Sequence, residues 1–208
     1  MKLIDCLRNT CESHARCDVV EVMGRGCGQI AMYTSIAGGA VGVAIPEIPF
    51  DEDKLIETMN SLKKIRRGMI VVVSEGVVCE DGKPYSEKLA KIIQEKTGIE
   101  TKFARFAHIV RGGIPTLRDR VVAAQMGVLA VDLLLEGKSN LIISELEGKI
   151  VPVDTMFALA SDRMYKNKLK DGDLDGFTEQ QINDMKALCK RRTEEIARLY
   201  SIADQIVD

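Results

Sequence analysis

The sequence predicts an α/β protein, with a mostly parallel sheet, flanking helices and a C-terminal helical tail. Short apolar segments alternate with amphipathic segments through the first half of the chain, a pattern that favours right-handed strand–helix–strand crossovers. The segment Met69–Ser74 is largely β-branched, as expected for a parallel strand that is buried on both faces. Hydrophobic residues make up 46% of the chain, which provides a core and excludes intrinsic disorder.

Strands and helices alternate in the first part of the chain. The predicted strands are Val19–Met23, Val41–Pro46, Met69–Ser74 and one within Glu100–Val110. The predicted helices are Gln29–Ala37, one that follows Asp51 as its N-cap, and Glu87–Lys96 with Ser86 as its N-cap and Gly98 beyond its end. Apolar residues recur at the helical period after Asp51, and the glycine after the last of these helices is a common helix terminator.

The rest of the chain is predicted to be helical apart from one hairpin. The predicted elements are a helix Thr116–Glu136, a hairpin of Leu141–Ser144 and Lys149–Val153, a helix Asp154–Lys166 and a final helix. Glu147-Gly148 lies between the hairpin strands, and Thr178 with Gln181 matches the capping box that starts a helix. We therefore expect two regions, an α/β lobe of residues 1–115 and a helical and hairpin region of residues 116–208.

Charge and composition exclude several classes of protein. The chain has 29 Lys and Arg against 31 Asp and Glu and a pI near 5.8, so it is not a globally basic nucleic-acid or membrane-surface binder. Its apolar runs are shorter than the ~18 residues that a membrane span needs. The first residues, MKLIDCLRNTCESHARC, are charged where a signal peptide would be apolar. We expect a cytoplasmic protein without nucleic-acid or membrane partners.

The cysteines predict neither a metal site nor a disulfide framework. The six cysteines include no CxxC pair, and the chain has only two histidines, so free thiols are favoured over zinc ligands or disulfides. Asp171–Gly176 imitates the start of a calcium loop, but its twelfth position is Ile182 instead of a bidentate Glu. We expect a solvated turn there and no metal site in the chain.

Polar residues follow the predicted strands at the edge where ligands bind to parallel sheets. They are Gly24-Arg25-Gly26, Glu47, Glu75, His108 and Arg111. Cationic side chains bind phosphate, and ionised carboxylates accept hydrogen bonds from sugar hydroxyls. These residues therefore predict a site for a phosphorylated sugar.

Each of these residues also has a structural interpretation. GRGCG at 24–28 is either a phosphate cradle at a helix N-terminus or a turn that the fold needs. Glu47 is interpreted as a loop anchor in preference to a ligand. Glu75 ends a buried strand, where an unpaired charge is costly, so a partner or a ligand must satisfy it. His108 is either a core histidine or a site residue.

Three motifs, taken in order, resemble those of the 6-phosphofructokinase family. They are HARCDVVEVMGRGCG at 14–28, VVVSEG at 71–76 and ETKFARFAHIVRGGIPTLRDRVVAAQMG at 100–127. The resemblance covers about residues 4–137 and corresponds to the family's fructose-6-phosphate half, a Rossmann-like half of the phosphofructokinase fold. It implies phosphoryl transfer from ATP or pyrophosphate to the 1-hydroxyl of fructose-6-phosphate, a reaction of glycolysis.

The resemblance also implies roles for single residues. Met23, Gly24 and Arg25 would line the sugar and the transferring phosphoryl group, with Arg25 as the catalytic residue that stabilises the transition state. Glu75 would hold a sugar hydroxyl.

Four further residues are expected to bind the phosphate of the substrate. The resemblance implies that His108 and Arg111 bind the 6-phosphate, while Arg16 and Lys102 contribute from a neighbouring subunit of a homo-oligomer, a dimer or tetramer. Lys102 stands where the family has an arginine, and lysine keeps the charge but lacks the bidentate fork. Arg105 is close in sequence but would face the other side of its strand.

The family's nucleotide-binding half has no counterpart in these residues. Its Gly-Gly-Asp phosphate loop and its Thr-Ile-Asp-Asn-Asp catalytic loop do not occur in the sequence. We therefore expect a fragment that lacks this N-terminal half, binds no cofactor itself and is inactive alone. The resemblance implies that the complete enzyme uses Mg²⁺ with ATP or pyrophosphate.

Two other function classes compete with this one. The first is a non-catalytic regulatory or oligomerisation module with the same fold, against which the presence of the phosphate-binding residues argues. The second is a dinucleotide-binding domain, which is disfavoured because Gln29 interrupts the G-x-G-x-x-G pattern.

Overall fold

The computed structural model describes residues 1–207, which form two compact units. The first unit contains residues 1–110 and the residues from 193 onward, and the second unit is Arg111–Arg192. Among the described residues, no helix combines the length and the apolarity that a membrane span needs.

A four-stranded parallel sheet forms the centre of the first unit. Its strands are β1 (Cys17–Val22), β2 (Gly42–Ala44), β3 (Met69–Ser74) and β4 (Thr101–Arg105), in the order β2-β3-β1-β4. The predicted α/β class with a mostly parallel sheet is confirmed. β3 has its predicted bounds, whereas β2 is shorter than predicted because Ile45 leaves the ladder and bridges to Ile48.

Helices cover both faces of this sheet. They are α1 (Lys2–His14), α2 (Gln29–Gly38), α3 (Glu52–Leu62) and α4 (Tyr85–Thr97), and a 3₁₀ helix (Ala107–Val110) follows β4. One core contains residues of α1 and α2 with the last part of the C-terminal helix, and the other contains residues of α3 and α4. Alternate residues of β1 and β3 enter the two cores, so both strands are buried along their whole length.

The helix boundaries confirm some predicted signals and correct others. Asp51 accepts the backbone N–H of Lys54 at 2.9 Å and caps α3 as predicted. The predicted N-cap at Ser86 is wrong, because α4 begins at Tyr85 and the buried Ser86 hydroxyl donates to Glu21 on β1. Gly98 ends α4 in the left-handed conformation at φ 72°. Helix α1 was not predicted.

The second unit contains the predicted long helix and hairpin. Its elements are α5 (Leu117–Leu135), β5 (Leu141–Leu146), β6 (Lys149–Asp154), α6 (Thr155–Tyr165) and the first part of α7 (Glu179–Gln205). Glu147 and Gly148 have φ values of 52° and 78°, as a two-residue hairpin turn requires. Thr178 and Gln181 exchange the expected capping-box hydrogen bonds.

The division into units differs from the expected one at the C-terminus. The observed boundary after Val110 is close to the expected boundary after residue 115. Residues from 193 onward, however, belong to the first unit, whereas the sequence placed them in the C-terminal region 116–208. The reason is that Ile196, Leu199 and Ala203 are buried in the same core as the α2 residue Met32.

Candidate functional site

The loops after β1 and β3 are joined by a carboxylate. Oε1 of Glu75 accepts the backbone N–H groups of Gly24 and Arg25 at 3.0 and 2.7 Å. β1 and β3 are neighbours in the sheet, so this bond links adjacent strand ends. The partner that the sequence required for Glu75 is therefore, at least in part, the backbone of the β1 loop.

A second carboxylate holds the start of α2. The N–H group of Gly28, the N-cap residue of α2, donates to both carboxylate oxygens of Glu47, at 2.9 and 3.0 Å. Glu47 is thus the loop anchor that the sequence favoured. A phosphate at this helix N-terminus would meet a like charge, so this geometry argues against a phosphate cradle at GRGCG.

Close packing explains two of the three glycines in GRGCG, Gly24 and Gly28. A Cβ atom on Gly24 would lie 2.3 Å from the carbonyl oxygen of Cys27, and one on Gly28 would lie 2.4 Å from the Cβ of Ile45. By contrast, a Cβ atom on Gly26 would meet nothing within 4 Å. GRGCG is therefore a structural turn at Gly24 and Gly28.

Arg25 is held in a strained conformation at the end of β1. Its φ is 52°, a left-handed value that costs a non-glycine residue about 1–3 kcal/mol and persists only where neighbours impose it. Its N–H group is bound to Glu75, and its side chain is exposed. The fold thus fixes the backbone of Arg25 and leaves its guanidinium accessible at the carboxyl edge of the sheet.

His108 lies at the same edge, after β4. It belongs to the 3₁₀ helix Ala107–Val110 and is exposed, so the alternative of a core histidine is wrong. The preceding residue, Ala107, also has a left-handed φ, of 45°. Two of the strand ends at this edge therefore carry a strained non-glycine residue.

An ion pair between a buried glutamate and a partly exposed arginine ties β4 to β1 beside this edge. Nε and Nη2 of Arg105 donate to the two carboxylate oxygens of Glu21 at 2.6 and 3.2 Å, and Ser86 also donates to Glu21. The hydrogen bond to Glu21 raises the pKa of Arg105. Sequence reasoning missed this pair, although a glutamate inside the apolar segment Cys17–Val22 was a signal that a partner was needed.

An apolar groove of about 440 Å³ adjoins Met23. It is lined mainly by apolar side chains, among them Ile4, Val22, Ile30 and Phe106. Met23 itself is half-buried. The predicted site therefore has polar groups on the strand-end loops and an apolar wall on the side of α1.

Arg16 and Lys102 lie at the opposite edge of the sheet. Arg16 directly precedes β1, and Lys102 pairs in register with Asp18 near the start of β4. The six residues of β1 span about 20 Å at ~3.3 Å per residue, and Arg25 follows the other end. One copy of the chain therefore brings Met23, Gly24, Arg25, Glu75 and His108 to one edge without Arg16 or Lys102.

Arg111 and the calcium-loop-like segment Asp171–Gly176 are the remaining predicted positions. Arg111 is exposed and is the first residue of the second unit. Asp173, in the calcium-loop-like segment, is engaged by Arg163 and by the N–H of Lys170. Within residues 1–207, no three His, Cys, Asp or Glu side chains come together as a metal site would require, and the six cysteines there form no disulfide bond.

Comparison with protein families decides the identity of the fold. A family model described as phosphofructokinase matches residues 1–134. The chain belongs to the phosphofructokinase family. This confirms the resemblance drawn from the three sequence motifs.

Curated relatives in this family are similar over most of the chain. The ATP-dependent 6-phosphofructokinase 1 of Clostridium perfringens is 44% identical over 167 residues, which are 80% of this chain and 50% of the relative. An ATP-dependent 6-phosphofructokinase of Clostridium botulinum (strain Hall) is 44% identical over 169 residues, 81% of this chain and 51% of that protein. The chain thus spans about half the length of the curated relatives it matches.

Solved phosphofructokinase structures share the fold. Phosphofructokinase from Saccharomyces cerevisiae matches with a TM-score of 0.73 and 28% identity, over 91% of this chain and 27% of that chain. The T-state structure from Pichia pastoris matches with a TM-score of 0.70 and 31% identity, over 91% and 22%. The pyrophosphate-dependent enzyme of Nitrosospira multiformis matches with a TM-score of 0.59 and 25% identity, over 74% and 43%.

Proposed function

We propose that this chain is the fructose-6-phosphate-binding part of a 6-phosphofructokinase. The reaction is phosphoryl transfer from ATP or pyrophosphate to the 1-hydroxyl of the sugar. The observation that carries the proposal is the carboxyl edge of the sheet, where Glu75 fixes the strained backbone of Arg25 and the Arg25 guanidinium is exposed. Curated relatives named ATP-dependent 6-phosphofructokinase support the reaction class.

The proposed roles follow from the chemistry of each group. The exposed guanidinium of Arg25 would donate a hydrogen bond to the sugar that it lines. It would also stabilise charge on the transferring phosphoryl group, which is the main contribution a protein makes to such transfers. The carboxylate of Glu75 would accept a hydrogen bond from a sugar hydroxyl, and Met23 and Gly24 would line the sugar. His108 and Arg111 would bind the 6-phosphate with cationic or N–H donors.

A complete sugar site needs a second copy of the chain. Arg16 and Lys102 are about 20 Å from the Arg25 edge by the length of β1, beyond the span of one sugar phosphate. In the proposal, these two residues bind the 6-phosphate held by a neighbouring copy. The functional form is therefore a homo-oligomer, at least a dimer.

The donor half of the reaction is proposed to lie outside these residues. Nucleotide phosphates and a metal ion must be held in line with the acceptor hydroxyl, and neither family loop for this purpose occurs in the sequence. Within residues 1–207 there is also no cluster of metal ligands. The chain alone would then bind the sugar phosphate weakly and transfer nothing, while Mg²⁺ and the phosphoryl donor would bind to the nucleotide-binding half.

A non-catalytic regulatory or oligomerisation module with the same fold is the alternative. The comparisons do not favour it, because the curated relatives are named as kinases. Binding of fructose-6-phosphate by the edge that carries Arg25 separates the two functions, because a module of that kind has no need of the sugar phosphate.

Calorimetric titration of the 208-residue chain with fructose-6-phosphate tests the proposal. We expect weak binding that Arg25→Ala reduces at least about tenfold, since a charged hydrogen bond contributes about 1.5–3 kcal/mol. The control is Arg198→Ala, which removes an exposed arginine on α7 and should leave binding unchanged. No binding by the unsubstituted chain, or equal binding by the Arg25→Ala variant, would overturn the assignment.

A further inference from the structure

Beside Arg16 lies a buried carboxylate whose nearby donor is a weak one, the thiol of Cys11. Asp18 is 1% exposed, and apart from that thiol neither of its carboxylate oxygens has a hydrogen-bond partner within residues 1–207. Nε of Arg16 lies 3.7 Å from Oδ1 of Asp18 and is likewise buried without an acceptor. Buried polar groups are nearly always satisfied, so an exception of this kind calls for a physical explanation.

The other groups around Asp18 do not provide a counter-charge. The buried thiol of Cys11 is neutral, because burial, the charge of Asp18 and a hydrogen bond to Asp18 raise its pKa to about 12. Lys102 stands opposite Asp18 in the strand register, but its Nζ binds Glu100 at 2.9 Å. Arg16 is therefore the cation that lies within ion-pair distance of Asp18.

This arrangement sets the orientation of the Arg16 guanidinium. A guanidinium has N–H donors on its Nε side and on the two Nη atoms, in a fixed plane. With Nε buried on the Asp18 side, the Nη groups are the donors left for a ligand. The Arg16 side chain is 19% exposed, so it is restrained at the carboxylate and still reaches the surface.

We propose that Asp18 is a positioning residue for Arg16. Its carboxylate holds the Nε side of the guanidinium inward, so that the Nη groups present a bidentate face to the 6-phosphate on a neighbouring copy. Bidentate arginine–phosphate pairs need this alignment, which a freely rotating side chain lacks. The inference rests on the proposed function and adds a residue that the sequence motifs did not assign.

A positioning role and a purely structural role predict different effects of Asp18→Asn. The substitution keeps the size of the side chain but leaves the mostly buried guanidinium of Arg16 without its carboxylate, so either role predicts some loss of thermal stability. Only the positioning role predicts that the affinity for fructose-6-phosphate falls as well, roughly three- to tenfold, as for coupled neighbouring residues. Asp5→Asn, which neutralises an exposed carboxylate on α1, is the charge-matched control and should change neither quantity.

The Arg16 dependence is tested by a double-mutant cycle. In an Arg16→Ala background, Asp18→Asn should cause no further loss of fructose-6-phosphate affinity, because its effect passes through Arg16. An unchanged affinity in the single Asp18→Asn variant would overturn the proposal. So would an equal loss with and without Arg16.

A ligand-free measurement separates this proposal from the proposed function. In ¹⁵N-labelled chain, the Nε–H signal of Arg16 should be protected from solvent exchange, and Asp18→Asn should abolish the protection. If the unsubstituted chain fails to bind fructose-6-phosphate, the proposed function is overturned and the Nε–H signal alone decides whether Asp18 restrains Arg16. An unprotected signal in the unsubstituted chain would overturn the positioning role itself.

Discussion

A Cβ atom on Gly76 would lie 2.2 Å from the carbonyl oxygen of Arg25. The loops after β3 and β1 are thus packed backbone against backbone. The adjacent Glu75 accepts the N–H of Arg25 at 2.7 Å, so both sides of the Arg25 backbone are fixed by the β3 loop. The placement of the Arg25 guanidinium is therefore a property of two loops that are distant in sequence.

Gly76→Ala should damage both stability and sugar binding. The new methyl group would meet a backbone atom that cannot rotate away, so the loops must separate. We expect a loss of about 1–3 kcal/mol in the free energy of unfolding, as for overpacked sites, measured by urea denaturation. Gly26→Ala is the matched control, because its Cβ would meet nothing within 4 Å, and equal effects of the two substitutions would contradict this account.

Glu75→Ala and Glu75→Gln should differ in stability. The alanine variant leaves the N–H groups of Gly24 and Arg25 without their carboxylate acceptor, at a cost of about 1–3 kcal/mol. The glutamine variant keeps an acceptor oxygen of similar geometry and should lose less. Urea denaturation compares them, and two equally destabilised variants would show that the charge, not the acceptor, holds the loop.

The sequence predicts features that depend on local pattern. The β-branched run gives β3 its bounds, and Asp51 and Gly98 mark helix ends because their effects involve residues a few positions away. Arg25, Glu75 and His108 each follow a parallel strand, so the sequence also places them at the carboxyl edge of the sheet.

Features that depend on strand adjacency are not predicted. Ser86 has the pattern of an N-cap, yet its hydroxyl donates to Glu21, 65 positions away, because α4 packs next to β1. The contact between Gly76 and Arg25 likewise requires that β3 pairs with β1. Helix α1 was not predicted, although Ile4, Leu7 and Cys11 stand at helical spacing and pack into the first core.

Alkaline pH should destabilise the chain through Cys11. Its thiol pKa is raised to about 12, first by burial and then by Asp18. Because the folded state favours the protonated thiol, Cys11 contributes to the free energy of unfolding. That contribution is fully present below the ordinary thiol pKa of 9.0. It is lost as the pH rises towards the folded value, at up to about 1.4 kcal/mol per pH unit.

The Cys11→Ala variant isolates this effect. Its free energy of unfolding should fall less steeply between pH 9 and pH 12 than that of the unsubstituted chain, as measured by urea denaturation across this range. Cys6→Ser, at an exposed position on α1, should keep the original slope. A Cys11→Ala variant with the unchanged slope would exclude Cys11 as the source.

Arg105→Ala should destabilise the sheet edge that carries His108. The substitution leaves the buried Glu21 carboxylate with Ser86 and without its cation. Breaking a buried ion pair costs about 3–5 kcal/mol, but the Arg105 side chain is 43% exposed, so water reduces the loss to about 1–3 kcal/mol.

Two further measurements test this ion pair. The double variant Glu21→Leu with Arg105→Leu should be more stable than Arg105→Ala, because no unpaired charge stays buried. Among the two histidines, only the His108 proton resonances should shift in Arg105→Ala, with His14 as the internal control. An Arg105→Ala variant as stable as the unsubstituted chain would show that Glu21 needs no cation.

Mixing two variants that do not bind the sugar should restore sugar binding if the site is shared between copies. Arg16→Ala and Arg25→Ala each remove one of two arginines that lie at opposite ends of β1, so each homodimer lacks a complete site. In a symmetric dimer, a mixed pair has one site with both arginines intact and one with neither. After random exchange of equal amounts, half of the dimers are mixed, so about a quarter of all sites should recover.

Calorimetric titration with fructose-6-phosphate before and after mixing measures this fraction. Recovery of no sites, in a mixture shown by sedimentation to contain dimers, would place Arg16 outside the sugar site of a neighbouring copy.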